Sequence, residues 1–326
     1  MDLIITIDTE ADNAWAKDDN ISVNNLKYLP RFQALCNKYN YPPTYLCTYE
    51  VFKSPLFYNL LSSSEFQSNY EIGTHLHPWT TPPFVPVTKN DNYYHPFPYE
   101  LPRDLFFNKL EVLTTIASDL IGEKMTSYRA GRWGFGASDI NGLVDLGYKV
   151  DCSVTPLINW RNTLGNPNGE GGPDFVSAPN LPYYLSWDDA CKKGNSPLLE
   201  VPMTILFTHY PFYKINRFGE INNRLDNTFM GKVLAKIAGG PLWFRPFPWQ
   251  TAYDLIAVYK TAKYLKLPYV EMMIHSSELM PGGSPYYPDT ESIERLYSVL
   301  ENVFTYLEKD GVSGTTLKKF AKRITV

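Results

Sequence analysis

Leu3-Ile4-Ile5-Thr6-Ile7-Asp8 is a short, apolar, β-branched run that ends in a carboxylate, and residues 21–39 follow it with the apolar spacing of a helix. The pair reads as a strand and then a helix, and the unit recurs along the chain. Residues 44–49 are strand-like ahead of a helical stretch at 56–66, residues 71–77 are strand-like, and 105–121 form an amphipathic helix. The spacing then predicts a strand at 127–130, a helix at 137–146 closed by Gly147, and a strand at 148–154. Residues 198–207 predict another strand, 250–265 a helix, 269–274 a strand and 290–307 a closing helix. Such alternation implies parallel βαβ units, and a barrel is favoured over an open sheet. The expected organisation is one catalytic domain over 1–326, interrupted by two irregular insertions. Residues 78–102 are dense in proline and rings, and residues 157–197 are rich in Gly, Asn and Pro. Loops of that length are usually functional, so these two are expected to wall a cleft.

Composition narrows the function. The chain has 326 residues, 44% hydrophobic and 20% charged, which excludes wholesale disorder and fibrous repeats. Thirty Lys and Arg stand against 34 Asp and Glu, a net charge of -4 without a basic block, so a nucleic-acid partner is not expected. No run approaches ~18 uncharged apolar residues, and the start, MDLIITID, does not read as a signal peptide. A cytoplasmic, soluble protein with no membrane span is therefore expected. The four cysteines lie apart without a CxxC pair and are expected to be buried thiols. Aromatic residues at 15% and 26 prolines point to stiff, ring-bearing loops.

In a parallel barrel the reacting groups gather where strands end. Asp8, Glu10 and Asp12 fall at the end of the first predicted strand, His75 and His77 at the third, Arg129 at the fourth, Asp151 on the fifth and His275 at a late one. Extended residues two apart face one way, so His75 and His77 present both imidazoles to one side and the acids share a like alternation. Two imidazoles and one carboxylate, with positions left open, suit a catalytic Zn²⁺ or a related divalent ion, and a second carboxylate can act as base. Arg129 is placed to orient a carboxylate and keep it ionised. Asp151 is either a substrate contact or a helix cap. Glu278 is read as capping or orienting near His275. Trp79 and Trp133, beside the proposed ligands, could floor a sugar site, whereas His95 and His209 are read as structural or substrate-contact residues.

Taken in order, ITIDTEADNAW, EIGTHLHPW, SYRAGRWGFG, DCSVTP and MMIHSSEL resemble the five motifs of the polysaccharide deacetylase family, the NodB-homology domain or carbohydrate esterase family 4. The resemblance runs from Ile5 to about Leu279. It implies a distorted (β/α) barrel of about seven strands, with Asp8 as base, His75 as first metal histidine, Arg129 as the tether of Asp8 and His275 as acid. Two departures mark the chain as divergent. The family's paired aspartates are replaced by Asp8-Thr9-Glu10-Ala11-Asp12, leaving Glu10 or Asp12 as the metal carboxylate. The HxxxH spacing is replaced by HxH, so His77 takes the second metal position. The expected activity is metal-dependent removal of an N-acetyl or similar acyl group from a sugar or polysaccharide intermediate. The alternatives are a hydrolase of another non-peptide C–N bond, such as a formamide or cyclic amide, and a non-catalytic carbohydrate binder.

Overall fold

The structure, a computed structural model, describes residues 1–12, 14–15, 21–64, 66, 69–209, 211–214, 233, 237 and 239–324. The opening run forms β1 (Asp2–Thr9), in which every residue after Asp2 is buried. A strand enclosed on both faces has no solvated side to alternate toward, which is why it reads as nearly continuous apolar sequence. The strands that follow are β2 (Pro43–Cys47), β3 (Glu71–Leu76), β4 (Ser127–Ala130), β5 (Val150–Asp151), β6 (Tyr183–Ser186), β7 (Asp189–Lys193), β8 (Leu199–Glu200), β9 (Ile205–Phe207), β10 (Pro241–Trp243), β11 (Tyr269–His275) and β12 (Ser313–Thr315). Among the described residues, eight of them pair in parallel, seven in the order β11-β1-β2-β3-β4-β5-β8 and β12 alongside the start of β1.

This sheet curls toward closure. β8 and β11 share no ladder, yet Tyr269 Oη donates to Pro202 O at 2.5 Å and the Glu271 amide donates to Thr204 Oγ1 at 2.8 Å. Helices cover the outside, among them Leu29–Lys38, Arg103–Ile121, Ala252–Tyr264 and Thr290–Lys309. Helix Thr290–Lys309 starts on Asp289, whose carboxylate accepts from the Ser292 amide, and buries one stripe that includes Leu296, Leu300 and Phe304. The architecture is α/β, as the alternation implies. Among the described residues no helix is long and apolar enough to cross a membrane.

Several boundaries differ from those the spacing predicts, each for a local reason. The stretch 21–39 begins as a 3-10 turn, Asn24–Tyr28, and becomes α-helical at Leu29 with Pro30 in its first turn. The helix expected at 56–66 is Pro55–Ser62, with residue 65 outside the described residues. The strand expected at 198–207 is two. Pro202, which has no amide hydrogen to give, stands between them: β8 pairs in parallel with β5, and β9 pairs antiparallel with β10. Residues 157–197 are not purely irregular, because they carry the β6–β7 hairpin, and β6 extends the sheet antiparallel to β8.

Candidate active site

Parallel register assembles the centre. Asp8, near the end of β1, is the backbone partner of His275 at the end of β11, and His75 on β3 is the partner of Arg129 on β4. Strands lie ~4.8 Å apart, so these residues, distant in sequence, open onto one end of the sheet. Glu10 Oε2 is 3.3 Å from His77 Nε2 and 3.6 Å from His75 Nε2. The ligand atoms of Glu10, His75 and His77 all lie within 4.8 Å of one another, and all three residues are buried.

The surroundings fix how each group points. His75 Nδ1 is 2.9 Å from the Arg129 carbonyl oxygen, which can only accept, so Nδ1 carries the hydrogen and Nε2 turns toward the acids. Burial would lower the His75 pKa, but Asp8 and Glu10 together raise it. That is the sign of an acidic pair that favours positive charge between its members, so the donor set fits a divalent cation. Burial and the nearby His75 hold His77 well below its ordinary value, the neutral form that a ligand needs. The His77 ring stacks on Trp79 at 4.4 Å, and Trp79 stacks on His95 at 4.1 Å. On the other side Gly131 leaves no room, since a Cβ there would lie 2.5 Å from His77 Cδ2 and 2.6 Å from Leu76 O.

Asp8 sits between these three side chains and His275. Arg129 Nη1 donates to Asp8 Oδ1 at 2.6 Å, while Asp8 Oδ2 is 3.8 Å from His75 Nε2 and 3.9 Å from His275 Nε2. Burial pushes the Asp8 pKa up, yet the Arg129 guanidinium and the two imidazoles outweigh it and hold the carboxylate ionised. Arg129 is fully enclosed. Its Nη2 donates to Glu271 Oε1 at 2.5 Å, its Nε donates to Cys152 O at 3.0 Å, and the Trp133 ring covers it at 4.9 Å. At His275, Arg245 Nη2 lies 2.9 Å from Nδ1. Glu278 Oε1 lies 3.4 Å from the same Nδ1, and Nε2 faces Asp8 and Glu10. Glu278 pairs with Arg245 at 2.5 Å and accepts from the His275 amide at 3.0 Å. Burial opposes its charge, but Arg245 and His275 hold it at about 2.

Two residues fall elsewhere. Asp12, an alternative to Glu10 as metal carboxylate, lies past the end of β1. Its oxygens accept from Ser22 Oγ, the amides of Asn24 and Asn25, and both Asn side chains, so it organises the turn ahead of the first helix. Asp151, read as a possible substrate contact, is fully buried and accepts from Ser153 at 2.7 and 3.0 Å. Ser153 Oγ in turn accepts from the Ala130 amide, which makes Asp151 a brace for the β4 end. Trp79 and Trp133 do line the cleft.

The cleft above these groups has a volume of about 760 Å³. Further rings wall it: Trp15 lies edge-on to His275 at 4.9 Å, and Trp243 contacts Trp133 and Trp160 at 5.9 and 6.2 Å. Arg132 and Trp133 both adopt positive φ, 56° and 60°, a strained backbone of the kind that gathers at binding sites. Arg132 donates to Tyr94 O and His95 O from the first insertion and to Leu164 O from the second. Tyr99 Oη donates to Gly171 O, and Glu100 accepts from both Phe97 and Asn166 amides, so the two insertions are joined over the site. Arg245, Trp15 and Glu271 escape sequence reasoning. Arg245 lies in a loop outside any motif, Trp15 closes the first motif but nothing in its spacing assigns it to the cleft, and Glu271 interrupts an apolar strand, which is the one available signal.

No protein-family model and no curated protein sequence matches the chain. Solved structures do. The fold is similar to that of a candidate glycoside hydrolase/deacetylase from Parabacteroides distasonis, with TM-score 0.61 and 14% identity over 98% of this chain and 70% of that one. A candidate polysaccharide deacetylase from Mycobacterium smegmatis gives 0.54 and 14% over 99% and 90%, and the Puue allantoinase gives 0.52 and 12% over 98% and 88%. At these identities the likeness is one of fold. The chain has the NodB-like (β/α) barrel fold of polysaccharide deacetylases.

Proposed function

We propose that this protein is a metal-dependent hydrolase that removes an N-acetyl or similar acyl group from a sugar. The convergence of Glu10, His75 and His77 beside the Asp8–Arg129 pair and His275 carries this reading. Glu10, His75 and His77 would hold the ion, and Zn²⁺ suits the donor set. A bound divalent ion supplies Lewis-acid polarisation of the acyl carbonyl. Asp8 accepts the proton of the attacking water, which requires the ionised carboxylate that Arg129 maintains. His275 Nε2 faces the same space from the opposite side; as the imidazolium, with Glu278 beside Nδ1, it delivers the Nε2 proton to the departing amine and returns to the neutral imidazole. Arg245 and Glu278 fix the imidazole plane for that transfer. The ring-lined walls favour a sugar, whose C–H face packs on aromatic rings while its hydroxyls reach polar rims.

Protein purified without chelator is expected to carry close to one divalent ion per chain and to release acetate from N-acetylated sugars. Asp8→Asn should lower turnover by ~10²–10⁴-fold, the usual contribution of a general base, while keeping the ion. Metal-free protein whose turnover is indifferent to EDTA would refute the assignment. Sugar binding without turnover in the wild type, equal in Asp8→Asn, would make the protein a binder instead.

A further inference from the structure

Among the described residues Lys109 is the one buried lysine, 2% exposed, and the chemistry proposed above makes no use of it. It projects from helix Arg103–Ile121 against the turn that leaves β3. Its Nζ donates to Pro78 O at 2.9 Å, to Thr81 O at 2.5 Å and to Pro83 O at 2.8 Å. The acid that bears on it, Asp91, spends its oxygens on the Val87 and Thr88 amides and the Thr88 hydroxyl. Carbonyl oxygens, not a counter-ion, therefore take its hydrogens. An ammonium has three hydrogens and no acceptor, and here three acceptors meet it. A methionine would fill the same space without the cost of burying a charge, so the charge itself needs a role. The owners of the three carbonyls supply one. They span the turn directly after His77, where the Thr80 and Thr81 amides both donate to His77 O, at 3.3 and 3.1 Å. Trp79, inside the same turn, stacks on the His77 ring at 4.4 Å. Holding Pro78 and Thr81 thus fixes both the backbone and the ring that flank this imidazole.

We propose that Lys109 is a positioning residue for His77 that acts through its charge: the ammonium clamps residues 78–83, and loss of its proton releases them. The inference rests on the reading of His77 as a metal ligand. A neutral amine keeps two hydrogens and a lone pair, so one of the three carbonyl oxygens would face that lone pair and be left unmet. Burial brings the transition within reach, lowering the Lys109 pKa to about 8 against the opposing pull of Asp91. On the other elements packed against the helix, Glu50 of helix Tyr49–Phe52, Asp139 and Asp145 of helix Ala137–Asp145, and Glu71 and His75 of β3 do not act on it. The clamp is whole below about pH 8 and open above it. That is opposite in direction to the effect of protonating the histidines, which weakens metal binding as pH falls.

The test compares the full-length wild type with Lys109→Met, which keeps most of the side chain's reach and removes its hydrogens. Amide exchange at Thr80 and Thr81 reads the turn, with the amides of helix Thr290–Lys309 as reference for the rest of the fold. Zinc affinity at about pH 7, by competition with a chelating dye, reads His77. In the wild type the protection of the two amides, corrected for intrinsic exchange rates, should fall about tenfold between about pH 7 and about pH 9 while the reference holds, following the charged fraction of an amine with a pKa of about 8. Lys109→Met should show low protection at both pH values and bind zinc at least ~10-fold more weakly. Protection in the wild type that stays level across this range overturns the charge-driven clamp, and that result stands whether or not the variant folds. Unchanged zinc affinity in a folded Lys109→Met whose turn has loosened overturns the positioning of His77 alone. A wild type that binds no zinc overturns the reading of the centre and the positioning role with it.

Discussion

Arg129 faces two carboxylates with a single charge, Asp8 through Nη1 and Glu271 through Nη2, in a space sealed from water. The two acids respond differently. Asp8 is held low, whereas burial, which Arg129 and Thr6 only partly offset, pushes Glu271 up to about 7. Glu271 Oε2 has no partner, which fits an acid that keeps its proton more readily than Asp8 does. Between its ordinary pKa of 4.5 and about 7 the folded chain holds a proton on Glu271 that the unfolded chain has lost, so this group's contribution falls as pH rises through that window. Glu271→Gln removes the dependence. Urea melts at about pH 5 and about pH 8 should show the variant gaining on wild type by roughly 2–3 kcal/mol at the higher pH; parallel profiles would discount the raised pKa. At this scale the site was largely legible. Alternation at strand ends brings out Asp8, Glu10, His75, His77, Arg129 and His275. The choice between Glu10 and Asp12 was not, because it depends on β1 ending at Thr9, after which alternation no longer tells direction.

Elements position the proposed ligands through backbone fit as much as through side chains. The β3 end delivers both imidazoles, and the β4 end backs them with Gly131, where any side chain would meet His77 and the Leu76 carbonyl. Gly131→Ala should therefore displace His77 and weaken zinc binding by at least ~10-fold, as changes behind a ligand commonly do. Competition titration with a chelating dye measures this, and unchanged affinity would mean that the β4 end yields. Helix Arg103–Ile121 braces the same region. Lys109 Nζ donates to the carbonyls of Pro78, Thr81 and Pro83, pinning the loop that leaves His77, and burial lowers its pKa to about 8. Helices and long strands were legible because periodicity needs length. The hairpin inside the second insertion and β12 carry too few residues to show any period, the strand predicted at 148–154 shortens to the two-residue β5, and the chain turn at Pro202 splits what reads as one strand.

For the molecule as a whole the weak line is the seam between the β8 side and β11, where side-chain bonds stand in for a ladder. Thr204→Val keeps the shape and deletes the acceptor of the Glu271 amide. It should cost about 1–3 kcal/mol, the penalty of a buried donor left unmet, and should speed exchange of that amide selectively. Thermal melts with amide exchange decide, and a neutral variant would mean that the seam is held elsewhere. The fold class could be read from the sequence because strand and helix alternate throughout. The incomplete closure could not, since it depends on bonds between residues about 67 apart.

The lips of the cleft are stitched to each other through Arg132, Tyr99 and Glu100. Anyone retargeting this scaffold should therefore graft both lips as a matched set with their arginine, because a foreign loop on one side would arrive without the thread that the other side expects.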